Sequence, residues 1–156
     1  KKAVIAAEDQ SFFNHKGFDY KAIEKAMQHN QQGKKIRGGS TISQQTAKNV
    51  FLWQGRSWIR KGFETVYTFM IELVWGKDVI LERYLNSIEM GRGVFGIEAA
   101  SQYYFNKNAK NLTKSEAAWI ATILPNPQKY DPKNPSAYLN KKHSWIMRQM
   151  NNITLK

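Results

Sequence analysis

The fold class predicted for this chain is mainly α, a single helical domain, and three observations predict it. Apolar residues recur at three- and four-residue spacing through most of the 156 positions. Helix-capping residues stand in front of several of these stretches. Strand signals, by contrast, are weak throughout. A hydrophobic content of 42% and an aromatic content of 13% argue against disorder and provide enough apolar material for a core.

Each element follows from the local pattern. Ala3-Val4-Ile5-Ala6-Ala7 is an apolar helical stretch running straight into Glu8-Asp9. Tyr20 to His29 places Ala22, Ile23, Ala26 and Met27 on one face, with Asp19 as N-cap. A helix over Ser40 or Thr41 to Val50 opens just after a glycine pair. Ser57 to Val74 is long, with Ile59, Phe63, Val66, Tyr67, Met70, Leu73 and Val74 near 3.6-residue spacing. Asp78 to Ser87 and Gly96 to Tyr104 follow. Thr113 to Ile123 begins with Thr113-x-x-Glu116, a capping-box pattern, and is stopped by Pro125 and Pro127. Ala137 to Met150 is the last helix. Loops are expected at 30–40, 52–57, 88–96 and 124–136, and no repeat or low-complexity linker interrupts the chain.

Charge narrows the function. The net charge is +12 and the pI about 9.9, which favours polyanionic partners: nucleic acid, anionic lipid or phosphate-bearing substrates. Residues 31–64 carry seven Lys or Arg against one acid, and this block coincides with the motifs described below. Residues 111–156 carry seven against two, at ordinary helix-surface spacing, and read as a solvated or lipid-facing surface. Cysteine is absent, which excludes disulfides, thiol nucleophiles and cysteine-based zinc sites. No run of about 18 apolar residues occurs, and Lys1 to Ala7 is too short for a signal peptide.

Three clusters carry chemistry. In Gly38-Gly39-Ser40-Thr41, glycines let backbone N–H groups approach a ligand, and the helix that follows presents unpaired donors and a partial positive charge. Thr41, Gln45 and Lys48 share one face of that helix. The same residues would also make an ordinary glycine turn with a hydroxyl cap, and the pattern is not a P-loop. In Arg56…Arg60-Lys61-x-x-Glu64, the cations suit a pyrophosphate and Glu64 faces a reacting centre, whereas the plain alternative is a surface i,i+4 ion pair. In Glu8-Asp9, placed between an apolar stretch and Phe12-Phe13, one acid is expected to be buried and one to cap; an apolar surround would raise a carboxyl toward a value useful for proton abstraction. His15 reads more readily as a structural hydrogen-bonder than as a catalyst, and His29 and His143 as surface residues. No metal-ligand spacing stands out.

In order, these motifs resemble the peptidoglycan glycosyltransferases of glycosyltransferase family 51. The resemblance rests on Glu-Asp-x-x-Phe-x-x-His-x-Gly at 8–17, Gly-Gly-Ser-Thr-Ile-x-Gln-Gln at 38–45 with Lys48-Asn49, and Arg-Lys-x-x-Glu at 60–64. It continues through Lys77-x-x-Ile80-Leu81-Glu82-x-Tyr84-Leu85-Asn86 to Gly91-Arg92-Gly93-Val94-Phe95-Gly96, and ends with Ser115-Glu116-Ala117-Ala118 to Leu124-Pro125-Asn126-Pro127. It spans almost the whole chain, so residues 1–156 are taken as one glycosyltransferase domain.

The resemblance implies a lysozyme-like, two-lobed helical fold with a small membrane-facing lobe. It implies polymerisation of lipid II into glycan strands, with inversion from α to β and undecaprenyl pyrophosphate as leaving group. Glu8 matches the family's general base, and Glu64 the glutamate that assists the leaving group or holds a divalent ion, magnesium or manganese; no organic cofactor is implied. Lys48, Arg56, Arg60 and Lys61 match phosphate-binding positions. Ser40, Thr41, Gln45 and Asn49 match cleft positions that also contact moenomycin-type inhibitors. Asp9, Phe12, His15, Gly38 and Gly39 match supporting positions. The implied partners are lipid II, the growing strand, an anionic membrane surface and other cell-wall synthesis proteins, not nucleic acid. The implied location is the bacterial cytoplasmic membrane, with the domain on its outer side.

Glu89 stands where many bifunctional members carry Tyr, and with Trp145-Ile146-x-Arg148-Gln149-Met150 it resembles the monofunctional biosynthetic type. No Ser-x-x-Lys cross-linking motif occurs in these residues. The family's N-terminal membrane helix is expected to precede Lys1 in a longer protein. Phe51-Leu52-Trp53 with Trp58, Ile59 and Phe63 reads either as core or as a membrane-dipping edge. Two other functions compete: a lysozyme-like hydrolase or lytic transglycosylase, and a non-enzymatic basic membrane- or nucleic-acid-binding module.

Overall fold

The structure of the protein is a computed structural model that describes residues 1–31, 39–55 and 57–156. Among these residues the regular structure is helical: α1 (Lys2–Glu8), α2 (Tyr20–Gln31), α3 (Ile42–Phe51), α4 (Trp58–Val74), α5 (Gly76–Ser87), α6 (Ile97–Phe105), α7 (Lys114–Ile123) and α8 (Ala137–Gln149). Short 3-10 turns cover Phe12–Asn14, Ala109–Asn111 and Met150–Asn152. The extended pairing described is one bridge, Glu89 with Phe95, inside an expected loop. The mainly α reading therefore holds. The chain divides into two compact units, one of Lys1–Gln10 with Glu82–Lys156 and one of Ser11–Leu81.

The first unit is built around α1. Ala3, Val4, Ile5 and Ala6 are all buried, and the small alanines let α1 pack closely against α7 and α8. The core continues through Tyr84, Met90, Ile120, Ile123, Leu139 and Ile146. α7 starts where its capping box requires. The Thr113 hydroxyl accepts from the Glu116 N–H at 3.2 Å, and the Glu116 carboxylate accepts from the Thr113 N–H at 2.8 Å. α6 starts at Gly96, whose φ of +83° favours glycine, and a Cβ there would lie 2.9 Å from the Asn86 carbonyl oxygen.

The second unit holds α2, α3, α4 and the start of α5. Asp19 caps α2 as expected, accepting from the Ala22 N–H at 2.9 Å. The predicted apolar face of α2 is not a core face, since Met27 is exposed and Ile23 only half-buried. α5 begins at Gly76, two residues before the predicted Asp78, because the left-handed glycine turn restarts the helix immediately after α4. α3 packs against α4, and at their rim Phe51 stacks on Tyr67 at 4.9 Å and leans on Trp75 at 5.5 Å.

This second unit inverts the usual distribution of polarity. Its buried residues include Thr41, Ser43, Gln44, Thr46, Glu64 and Thr68 beside Phe12, Ile42, Ala47 and Ile71. Its exposed residues include Trp53, Trp58, Ile59, Phe63, Val66, Phe69, Met70, Leu73 and Val74. Helix α4 has the expected 3.6-residue apolar stripe, but the stripe faces outward. Of the two readings of the aromatic segment, the core reading is thus corrected: Trp58 is 92% exposed. A patch of this kind exceeds the scattered apolar residues of an ordinary soluble surface and marks an interaction face.

Candidate active site

The cationic cluster sits on the first turns of α4. Ser57 caps the helix, its hydroxyl accepting from the Arg60 N–H at 3.0 Å. This frame turns Glu64 inward, where it is 4% exposed. Lys61 donates to Glu64 Oε1 at 2.6 Å, and Arg60 Nη1 donates to Oε2 at 3.4 Å. The surface ion-pair alternative does not describe this pair, because the carboxylate and most of the Arg60 side chain are buried. Two cations against one carboxylate leave one positive charge in excess. Among the described residues the buried Nε of Arg60 has no hydrogen-bond partner, a costly state for a donor withdrawn from water. An open pocket of about 370 Å³ lies here, lined by Ser57, Trp58, Arg60 and Lys61. A helix N-terminus and a surplus cation beside an open pocket are features that suit an anion.

Around α3 the glycine turn is partly committed to structure. The Thr41 hydroxyl accepts from the Gln44 N–H at 3.1 Å and donates to the Gly17 carbonyl at 2.6 Å. The Gln44 side chain returns to the Thr41 N–H at 3.0 Å. Thr41 therefore builds the floor of the turn: its hydroxyl proton is committed to Gly17, and one acceptor lone pair remains. Ser40 is exposed, and Gln45, Lys48 and Asn49 are half-buried on α3. Gly17 makes the close approach possible. Its φ is +88°, and a Cβ would lie 2.9 Å from Thr68 Cγ2. Gly39 opens the described turn, while Gly38, Arg56 and most of the predicted 30–40 loop lie outside the described residues. Phe12 is fully buried, with Phe13 edge-on at 5.1 Å and His15 edge-on at 6.3 Å.

The carboxylate pair closes α1 in the first unit. Asp9 is buried and Glu8 half-buried, in line with the expectation of one buried acid. Beneath them Tyr84 is fully buried, and its phenol is pushed well above the ordinary tyrosine value, first by burial and then by the charges of Glu8 and Asp9. Tyr84 thus stays a neutral hydroxyl at any physiological pH. Lys142, on α8, is pushed down by burial, while the negative charge of Glu8 opposes that shift. Reading the last basic block as a solvated surface missed Lys142. Its neighbour Lys141 is exposed, and nothing in a Lys-Lys pair says which one turns inward. The sequence reading also passed over Glu72, whose signal was a lone acid in the apolar run Phe69 to Val74.

Comparison with known proteins gives the family. A family model described as Transglycosylase matches residues 1–151. The biosynthetic peptidoglycan transglycosylase of Mannheimia succiniciproducens is 60% identical over 153 residues, covering 98% of this chain and 63% of its own length. That of Haemophilus influenzae is 55% identical over 152 residues, covering 97% of this chain and 62% of its own length. That of Cronobacter sakazakii is 58% identical over 151 residues, covering 97% and 63%. The chain thus spans a little under two thirds of the length of these relatives. Its motifs, its helices and its near-complete match place it plainly: the chain belongs to the transglycosylase family.

Proposed function

We propose that this chain is the catalytic part of an inverting peptidoglycan glycosyltransferase, which polymerises lipid II into β-1,4 glycan strands and releases undecaprenyl pyrophosphate. The observation that carries the proposal is α4. One helix bears a cation-rich first turn paired to the buried Glu64, and an apolar flank exposed along its length. A lipid-linked pyrophosphate has the same two parts: an anion that needs oriented cations, and a tail that needs an apolar phase.

In this reading Glu8 accepts the proton of the acceptor sugar 4-hydroxyl as that oxygen attacks the anomeric carbon of the donor. The bond from that carbon to the pyrophosphate oxygen breaks, and the configuration inverts. Arg60, Lys61 and Lys48, joined by Arg56 through its motif position, meet the charge that develops on the leaving group. Glu64 orients Arg60 and Lys61. Lys142 and the neutral Tyr84 set the electrostatics around Glu8. Ser40, Thr41, Gln45 and Asn49 line the substrate side of α3, while Asp9, Phe12 and His15 support the first motif.

A magnesium or manganese ion does not fit the described residues well. Both Glu64 oxygens already accept from cations, and no group of three or more His, Asp or Glu gathers among the described residues.

The exposed apolar flank and the net charge of +12 suit an anionic membrane surface, with aromatic side chains at headgroup level. No described helix is long and apolar enough to cross a membrane. The proposed place of action is the outer side of the bacterial cytoplasmic membrane, beside other cell-wall synthesis proteins. Purified lipid II incubated with the protein should yield a ladder of glycan strands that moenomycin abolishes. Muropeptide release from finished peptidoglycan, without lipid II turnover, would instead establish the hydrolase reading.

A further inference from the structure

Four segments of the second unit meet at one side chain that none of the motifs includes. Glu72 lies two turns beyond Glu64 on α4, so Glu64, Thr68 and Glu72 form a polar i, i+4, i+8 stripe on the inner face of an outwardly apolar helix. Its Oε1 accepts from the Ser43 hydroxyl on α3 at 2.5 Å and from Lys77 Nζ on α5 at 2.5 Å. Both charged side chains are largely withdrawn from water. Lys77 Nζ also stands 4.5 Å above the ring of Phe12. A Cβ on Gly17 would lie 3.2 Å from Glu72 Cγ, so the first motif packs against this side chain.

Buried ion pairs add little stability compared with apolar packing of the same volume, and their best-attested use is to fix one arrangement among several. Here α4 faces outward with its apolar residues, so apolar packing alone does not hold its rotation. The Glu72 cluster supplies the directional contacts that do.

We propose that Glu72 is a positioning residue. Through Ser43 and Lys77 it holds the anion-site turn of α4, the start of α3 and the aromatic turn at Phe12 in one register. The proposal rests on the glycosyl-transfer reading only for its effect on turnover.

The test is Glu72→Gln, which keeps the size and the ability to accept from Ser43 but removes the charge. With lipid II as substrate, kcat should fall about 10- to 100-fold, while KM stays within about threefold. Lys77→Met should do the same, and Lys77→Arg should recover most of the loss. Without substrate, hydrogen exchange should quicken at the amides of Asn14, Gln44 and Gln45, which bond within the held segments. Exchange at Ala117, on α7 of the other unit, should not change. If Glu72→Gln fails to fold, Ser43→Ala decides by the same two readouts. Unchanged exchange together with parental kcat overturns the proposal. If the parent protein itself does not turn over lipid II, the functional reading fails, and the exchange measurement still decides the role of Glu72.

Discussion

The outward apolar flank of α4 predicts a membrane contact whose strength can be worked from the structure. Leu73 and Val74 are 75% and 73% exposed. Full burial of either side chain is worth about 1.5–3 kcal/mol, so three quarters of that is roughly 1–2 kcal/mol each. Replacing both with serine should then weaken partition into an apolar phase by roughly 2–4 kcal/mol at full immersion, about 30- to 1,000-fold. Partial immersion still leaves a loss of about tenfold. Folding should change little, because these side chains have few folded-state partners to lose, and surface substitutions usually shift stability by under about 0.5 kcal/mol. The assay is sedimentation with vesicles containing anionic lipid, at low and at high salt. High salt removes the attraction due to the net positive charge and leaves the apolar contribution, so the defect of the double variant should persist there. Vesicle affinity within about twofold of the parent at both salt concentrations would mean that the flank does not enter lipid. So would a large fall in thermal stability with lipid binding per folded molecule unchanged, since that result would mean the flank is covered core.

Two further outcomes follow, one from the site and one from the phenols of Tyr84 and Tyr104. Glu64→Gln should abolish most turnover and also lower stability by about 2–4 kcal/mol, since it leaves the mostly buried Arg60 guanidinium without its counter-ion; a denaturant titration beside the activity assay checks both effects. Raising the pH should destabilise the fold between pH 10 and about 12, the value to which burial, then Asp131 and Tyr103, push Tyr104. The sign follows from the raised folded-state values of Tyr84 and Tyr104: the unfolded phenols release protons near 10, so stability present below that pH is lost as it rises. Tyrosinate absorbance against pH should show these two residues ionising later than the exposed tyrosines, with Tyr104 near 12.

Much of this was legible in the sequence because much of it is local. Asp19, Thr41 and Thr113 each announce a helix start through contacts three residues away: Asp19 and Thr113 cap as read, and Thr41 caps where Ser40 or Thr41 is expected. The motif order found the cationic turn and the carboxylate pair without any knowledge of packing. What the sequence could not reveal was direction. The spacing of Phe63, Val66, Met70 and Leu73 is the same whether the stripe faces a core or a lipid, and only the burial of Glu64 and Thr68 on the opposite side decides it. The polar i, i+4, i+8 series from Glu64 to Glu72 was the available clue. The second bond of Thr41, to the carbonyl of Gly17, is equally invisible, because it joins residues 24 apart. Lys142 differs from Lys141 only in which way α8 turns it.

In the proposed reaction Glu8 moves the proton in a glycosyl transfer from a lipid pyrophosphate. Single-turnover kinetics on purified lipid II, comparing the parent with Glu8→Gln, test it most directly, with circular dichroism verifying that the variant is folded. The parent should form strands, and the folded variant should lose at least about 10²–10⁴-fold, the usual contribution of a general base. Parental rates from folded Glu8→Gln would contradict it.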